Sequence, residues 1–530
     1  MKTLKTIFLA AFLFPAVALT AQTKTDLAQV KWGPDLSMSK DGVFDHLFGS
    51  TDDHLYMIVS KRRDLYVQKL DLDNRVIYKE LLEMEFDKDD HNLASAEVFG
   101  DRILVFTTFY DRKEKANGLF LRVFDAENMK PQGRIKRLAT IHGESRRDRG
   151  SFDLNVSPDE SHILISQQIP SEKGDKERFK LMVFDAEMTP VWEQEVTLPY
   201  LEEEFSMREV RVTDDGSVVV IGTKYAEKKE AKELRKEGKA TYEYHLLTYD
   251  SNGGAPEDHA IQVPDKFLQD LTLNIGEDGD ILAGGFYGLK GTSSIHGVYF
   301  MRLDRKTKAI KHSNFKEFDK DFITQYMTEK EEKKATKKAE KKDEELEMAN
   351  YDLDEIIRRD DGGAVMVGEQ YNFWVSTYTV TDANGNTSTR TVYHYVYNDV
   401  IVVNVDPSGN IEWAAKVPKR QHTTNDGGFY SSYALGVRDD RIYLVFNDSG
   451  KNLFLQPGQK VEQFRLKGKE ALITLATIDQ NGVVKREALM SQDRRDAITR
   501  PKSCIQITED RMFVYAQRKK DYRFGSMTMQ

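Results

Sequence analysis

The chain has 530 residues, 31% of them charged and 39% hydrophobic, with a formal net charge of −10. An acidic balance disfavours nucleic acid as a partner, because neutralising phosphates needs a basic surface. One cysteine, Cys504, excludes an internal disulfide framework and any cysteine metal cluster, and the length exceeds one ordinary hydrophobic core, so several domains or a repeat architecture are required.

Residues 1–21 carry Lys2 and Lys5, an apolar run from Ile7 to Leu19 and then small residues, the pattern of a secretory signal cleaved near Ala21. Its loss moves the formal charge from −10 to −12. The mature chain, residues 22–530, is expected to be periplasmic or secreted and monomeric. No later stretch has 18 apolar residues in a row, so no membrane-spanning helix is expected.

Two units then alternate along the chain. In one, two apolar alternating strands flank a tight acidic or glycine turn, at Asp53, Asp101, Asp159, Asp215, Asp278, Asp361, Asp440 and Asp510. Asp-Gly between such strands is a strong hairpin signal, since both residues tolerate the positive φ of a tight turn. In the other, an apolar strand ends in an aspartate and a polar turn leads to a second strand; these aspartates are Asp71, Asp125, Asp185, Asp250, Asp304, Asp406 and Asp479. The turns of the first unit are 48, 58, 56, 63, 83, 79 and 70 residues apart, so each interval holds two hairpins, or four antiparallel strands A to D. Four-stranded units of this size suit the blades of a β-propeller. The reading is all-β and eight-bladed. The last unit lacks its fourth strand, and residues 26–36 near the start form an otherwise unassigned strand, so the N-terminal strand is expected to complete the last blade.

The pattern resembles the broad β-propeller superfamily over the whole mature chain, distantly like WD-repeat and quinoprotein-like members, although the WD dipeptides are missing. Trp192 and Trp413 each fall seven residues after a strand-ending aspartate, as in tryptophan-docking repeats. They are read as packing between neighbouring blades. The lysine-rich, cysteine-poor chain with a signal ending in Ala-Gln is similar to exported proteins of Bacteroidetes.

Insertions at 224–241 and 317–352 are rich in Lys, Glu and Ala without a sustained apolar stripe, and are expected to be exposed helix or disorder, with Glu329 and Lys333 as an i,i+4 pair. These, together with 371–398, 417–430 and 448–468, all fall in D–A or B–C connections, which share one face of the assembly. Long loops on a rigid scaffold carry recognition, so this face, around blades 6 and 7, is the expected functional one.

Residues 371–398 read as a long hairpin turning at Asn384-Gly385, with Tyr371, Phe373, Trp374, Tyr378, Tyr393, His394, Tyr395 and Tyr397 on its arms. The next connection adds His422, Asp426, Phe429 and Tyr430. Aromatics beside amides and carboxylates suit sugars or peptide side chains, and aromatic cross-strand pairs also stabilise a protruding ribbon. Arg147, in ESRRDRGS, and Arg495, in SQDRRDAITRP, are candidates for binding a carboxylate or phosphate, with Asp148, Asp493 and Asp496 as possible neutralising partners. The ligand-binding set is thus Trp374, Tyr378, Tyr393, Tyr395, His422, Asp426, Phe429, Tyr430, Arg147 and Arg495.

Catalytic and metal motifs are missing: there is no G-x-S-x-G, no H-E-x-x-H, no phosphate-binding glycine loop and no regular calcium loop. DLDN at 71–74 is a calcium-loop fragment in an ordinary turn, and His91 and His142 are loop histidines without visible partners. No cofactor, metal or catalytic residue is assigned. The expected function is non-catalytic binding of a protein, peptide or glycan. The alternatives are an enzyme with a channel-mouth site, either a quinoprotein-like dehydrogenase or a polysaccharide-active lyase or hydrolase, and a structural part of an envelope or secretion assembly.

Overall fold

The inner strands of the sheets are buried on both faces, which explains why many read as continuous apolar runs rather than strict alternations. Ala471–Ile478 and Ile281–Gly288 are buried at every position. The computed structural model describes residues 22–530 except 87, 262, 264, 265, 277, 290–293, 305, 343–345, 360, 467, 469 and 492–497. The expected signal, residues 1–21, lies outside the described residues.

The fold is nearly all β, 61% strand and 7% helix. Among the described residues there are eight antiparallel sheets of four to seven strands, and two further strand pairs. Strands that follow one another in sequence pair with one another, from the sheet over residues 43–82 to the one over residues 434–491. The last sheet is different. Asp521–Met529 pairs with Arg511–Arg518 on one side and with Ala28–Trp32 on the other, in the register Ala28↔Met529 to Trp32↔Gly525. A further strand, Gln22–Lys24, lies outside Ala28–Trp32 and was not anticipated from the sequence.

Each sheet shares an apolar core with the next. The first and second meet around Tyr56, Ile58, Ile103 and Val105, and the series continues sheet by sheet to the core of the seventh and eighth around Tyr443, Leu475, Val514 and Trp32. The eighth sheet also packs on the first, through Phe513, Tyr515 and Phe524 against Phe44, Met57 and Val59. Asn74 Nδ2 donates to Ser526 Oγ across the same junction, at 3.0 Å.

The repeated aspartates act as turn clamps. Asp125 Oδ1 accepts from the backbone N–H groups of Glu127 and Asn128, Asp185 Oδ1 from Glu187 and Thr189, and Asp304 Oδ1 from Lys306 and Thr307, at 2.8–3.0 Å. A carboxylate that satisfies the turn's own donors needs no ion to explain it. Trp192 Nε1 donates to the Gly216 carbonyl and Trp413 Nε1 to the Gln480 carbonyl, so each tryptophan docks on the neighbouring sheet as packing.

Both charged insertions contain helix. The first forms α1, Lys228–Lys236, which buries Ala231. The second forms α2, Lys320–Thr324, and α3, Glu329–Lys342. The Glu329–Lys333 pair forms at 3.6 Å on the exposed face of α3. Solvation is not uniform, however, because Phe322, Ile323, Met327, Leu346 and Met348 pack into the core shared by the fifth and sixth sheets. The insertion is therefore anchored on both sides of α3 by apolar side chains too widely spaced to show as a helical stripe. No helix among the described residues is long and apolar enough to cross a membrane.

Candidate functional site

The sixth sheet grows the longest strands of the chain, Ala364–Thr381 and Thr387–Val405, and their outer halves leave the sheet as a twisted ribbon. At the tip, Asp382 Oδ1 accepts from the N–H groups of Asn384 and Asn386, and Gly385 takes a φ of 82°, which a glycine adopts without strain. Gln421–Thr424 adds a third strand against His394–Tyr397.

Side chains alternate between faces along a strand, so the register divides the expected cluster in two. On one face Trp374 lies opposite His394 and stacks on it at 4.7 Å with the rings 7° from parallel. His394 Nδ1 is 3.0 Å from His422 Nε2, and Ser376 Oγ is 2.8 Å from His394 Nε2. Burial, His394 and Arg420 hold the His422 imidazole below its ordinary pKa. Tyr378, opposite Arg390, shares this face nearer the tip. On the other face Phe373 packs against Tyr395 at 5.2 Å and Tyr393 at 6.4 Å, and Tyr371 against Tyr397 at 4.8 Å. Trp374 and His422 thus do not line one surface with Tyr393 and Tyr395. Phe373, Trp374, Tyr378 and Tyr393 are each 40–49% exposed, so the ribbon carries apolar area that the fold itself leaves uncovered.

The connection into the seventh sheet separates its residues in the same way. Asp426 Oδ1 accepts from Thr423 Oγ1 and the Gly428 N–H, so its carboxylate holds the turn. Phe429 is 53% exposed with the Arg500 guanidinium 4.5 Å from its ring centre. Tyr430 turns inward against Phe464, Ala471 and Ile498. Arg147 sits in the connection between the second and third sheets, where Asp148 accepts from Ser145 Oγ, and it does not join the ribbon. Arg495 lies outside the described residues, as do Asp493 and Asp496.

The tyrosine face of the ribbon descends into a cavity of about 670 Å³ between the first strands of the sixth, seventh and eighth sheets. Tyr371 and Tyr397 form its rim, and Lys502 Nζ donates to Tyr397 Oη at 2.5 Å. Burial holds the Lys502 ammonium below its usual pKa. Asp354 lines the cavity; Tyr433 Oη donates to it at 2.6 Å, and burial pushes its carboxyl up to about 7. Burial raises Asp352 and Glu355 as well.

Beneath the cavity lies a buried charged network that sequence reasoning missed. Lys419, with its side chain fully buried, pairs with Glu369, which also accepts from Ser432 Oγ at 2.7 Å. Gln421, in the ribbon's third strand, accepts from the Ser432 N–H and donates to the Asn447 carbonyl. Lys416 Nζ donates to the Phe322 carbonyl, and Arg486 approaches the buried Asp448 at 3.6 Å. These bonds tie the root of the ribbon to the seventh sheet and to α2. Lysines in a sequence read as solvated, and only the apolar neighbours in Lys416-Val417-Pro418-Lys419 hint otherwise.

His91 is buried against Phe109 and Phe120 and bonded to Thr107 Oγ1, while His142 is exposed at the end of its strand.

No family model matches the sequence, nor does any curated protein. Similar solved structures include a WD40 domain and a β-propeller domain. The WD40 domain of SCAP from fission yeast shares 8% identity over 94% of this chain and 98% of that one, with a TM-score of 0.39. The uncharacterized protein lmo1340 from Listeria monocytogenes shares 9% over 91% and 93%, with a TM-score of 0.35. The β-propeller domain of the Trilobed protease from Pyrococcus furiosus shares 9% over 84% and 96%, with a TM-score of 0.33. Against prolyl oligopeptidase B from Galerina marginata the chain spans 55% of that protein's length.

Proposed function

We propose that this is an exported, monomeric, eight-bladed β-propeller, closed by its N-terminal strand, which binds a peptide, protein or glycan without catalysis. Eight sheets with a shared core at each junction, including the eighth with the first, support the blade count and the closure. The binding surface is the tyrosine face of the ribbon, from Tyr393, Phe373 and Tyr395 down to the rim of the cavity, with Phe429 beside it. The carrying observation is that uncovered aromatic area stands on a rigid charged footing: Tyr393 and Phe373 are exposed, while Lys419 and Glu369 fix the ribbon's base. Aromatic area presented without loss of rotamer freedom is what a recognition surface needs.

The test is a thermal-shift screen of residues 22–530 against oligosaccharides, peptides and envelope extracts. A ligand at 100 times its dissociation constant stabilises by about 2.7 kcal/mol, about 2–3 °C for a chain of this length. Replacing Phe373, Tyr395 and Phe429 together should abolish the shift. Unchanged binding by that folded variant refutes the reading.

A second reading, an acid–base enzyme at the cavity, is favoured by Asp354 with its pKa near 7 beside a lysine–tyrosine pair. Turnover of a polysaccharide by the wild type, lost in Asp354→Asn, decides for it.

A further inference from the structure

The outward face of the ribbon carries a grouping that the ligand surface above does not use. His394 and His422 come from two different strands, and their Nδ1 and Nε2 atoms face each other at 3.0 Å. Two nitrogen ligands about 2.0–2.1 Å from one Zn²⁺, held between a right angle and a tetrahedral angle, stand about 2.8–3.4 Å apart. The imidazoles are therefore spaced to share an ion, as well as to share a proton.

Their surroundings favour the arrangement. Ser376 Oγ lies 2.8 Å from His394 Nε2, where it can accept that N–H and leave the Nδ1 lone pair directed at His422. Such a partner on the far ring nitrogen is what orients ligating histidines. Trp374 covers the flat face of the His394 ring, so both ring nitrogens point along its edge to Ser376 and His422. Both imidazoles are part-exposed, so an ion can enter from solvent.

We propose that His394 and His422 form a binding site for a divalent transition cation of the zinc, nickel or copper type. Imidazole nitrogen selects these ions over the oxygen-seeking calcium and magnesium. Among the described residues no third histidine, cysteine or carboxylate completes the group, so the ion keeps positions open to water or to a donor from a partner. On binding, the proton between the two rings moves to His422 Nδ1, and both facing nitrogens become donors to the metal with no net change in charge on the protein. The proposal is independent of the ligand surface on the opposite face.

The experiment is calorimetric titration of tag-free protein, residues 22–530, with ZnCl₂ and NiCl₂, alongside tryptophan fluorescence titrated with CuCl₂. One equivalent of Zn²⁺ or Ni²⁺ should bind per chain, with CaCl₂ and MgCl₂ silent. His394→Ala and His422→Ala should each abolish that binding, and Ser376→Ala should weaken it by about tenfold. Cu²⁺ should quench Trp374, and Trp374→Phe should keep the ion while losing the quench. His394→Asn and His422→Gln, which preserve polarity, give the same answer if an alanine variant fails to fold. Absence of saturable binding by the wild type, or equal binding by folded variants lacking either imidazole, overturns the proposal.

Discussion

Lys419→Met tests whether the ribbon stands on a buried ion pair. The Lys419 side chain is fully buried and Glu369 is 4% exposed, so removing the ammonium leaves a carboxylate whose remaining donor is Ser432 Oγ. Removing one member of a buried pair costs about 3–5 kcal/mol. Unfolding entropy of about 2.1 cal/mol/K per residue makes 1 kcal/mol worth about 1 °C over some 500 residues, so calorimetry should show the melt falling by about 3–5 °C. Lys419→Met with Glu369→Gln removes both charges and should recover most of that loss, because a neutral replacement carries no stranded charge. A single variant melting within about 1 °C of wild type, or a double variant no better than the single, refutes the reasoning.

Other expectations follow from particular residues. Glu177 is buried with its carboxyl pushed up to about 7 by desolvation, with Glu202 adding to it. A folded pKa above the unfolded value means the native state holds the proton more tightly, so stability falls as pH rises between the two pKa values; Glu177→Gln should gain on the order of 1–3 kcal/mol at pH 8 and nothing at pH 4, read from melts at both. Asp185→Ala strips two backbone N–H groups of their acceptor and should cost about 1–2 kcal/mol by urea denaturation, with wild type and variant alike insensitive to EDTA. Replacing Glu329–Lys342 with a Gly-Ser linker should leave the melt unchanged, since Glu329 and Lys333 are 91% and 74% exposed; co-purification of an envelope partner lost with it would mark α3 as a docking element.

The repeat was legible because its signals are local. Alternating strands, acidic turns and strand-ending aspartates act within about ten residues of one another, and the turn donors bonded by Asp125, Asp185 and Asp304 show why that residue recurs. The pairing of the N-terminal strand with the last sheet was legible by bookkeeping of strands alone. The candidate site was legible as a ribbon but not as two faces, because which residues look the same way depends on register: Trp374 against His394 and Phe373 against Tyr395. The cavity and the Lys419–Glu369 footing were not legible. They join residues 50 positions apart in sequence, and no local pattern distinguishes a lysine that will be buried from one that will be solvated.

The pairing of Ala28–Trp32 with Gly525–Met529 has a consequence for biogenesis. A strand made early is completed by one made late. Until residues 525–529 are made, its second edge stays open and Val30 and Trp32 lack the core they share with Val514 and Met527. A contact spanning nearly the whole chain forms slowly, because its loop must close before any of its energy is recovered. A chain lacking residues 525–529 would therefore keep the strands of the first seven sheets and leave this one seam open.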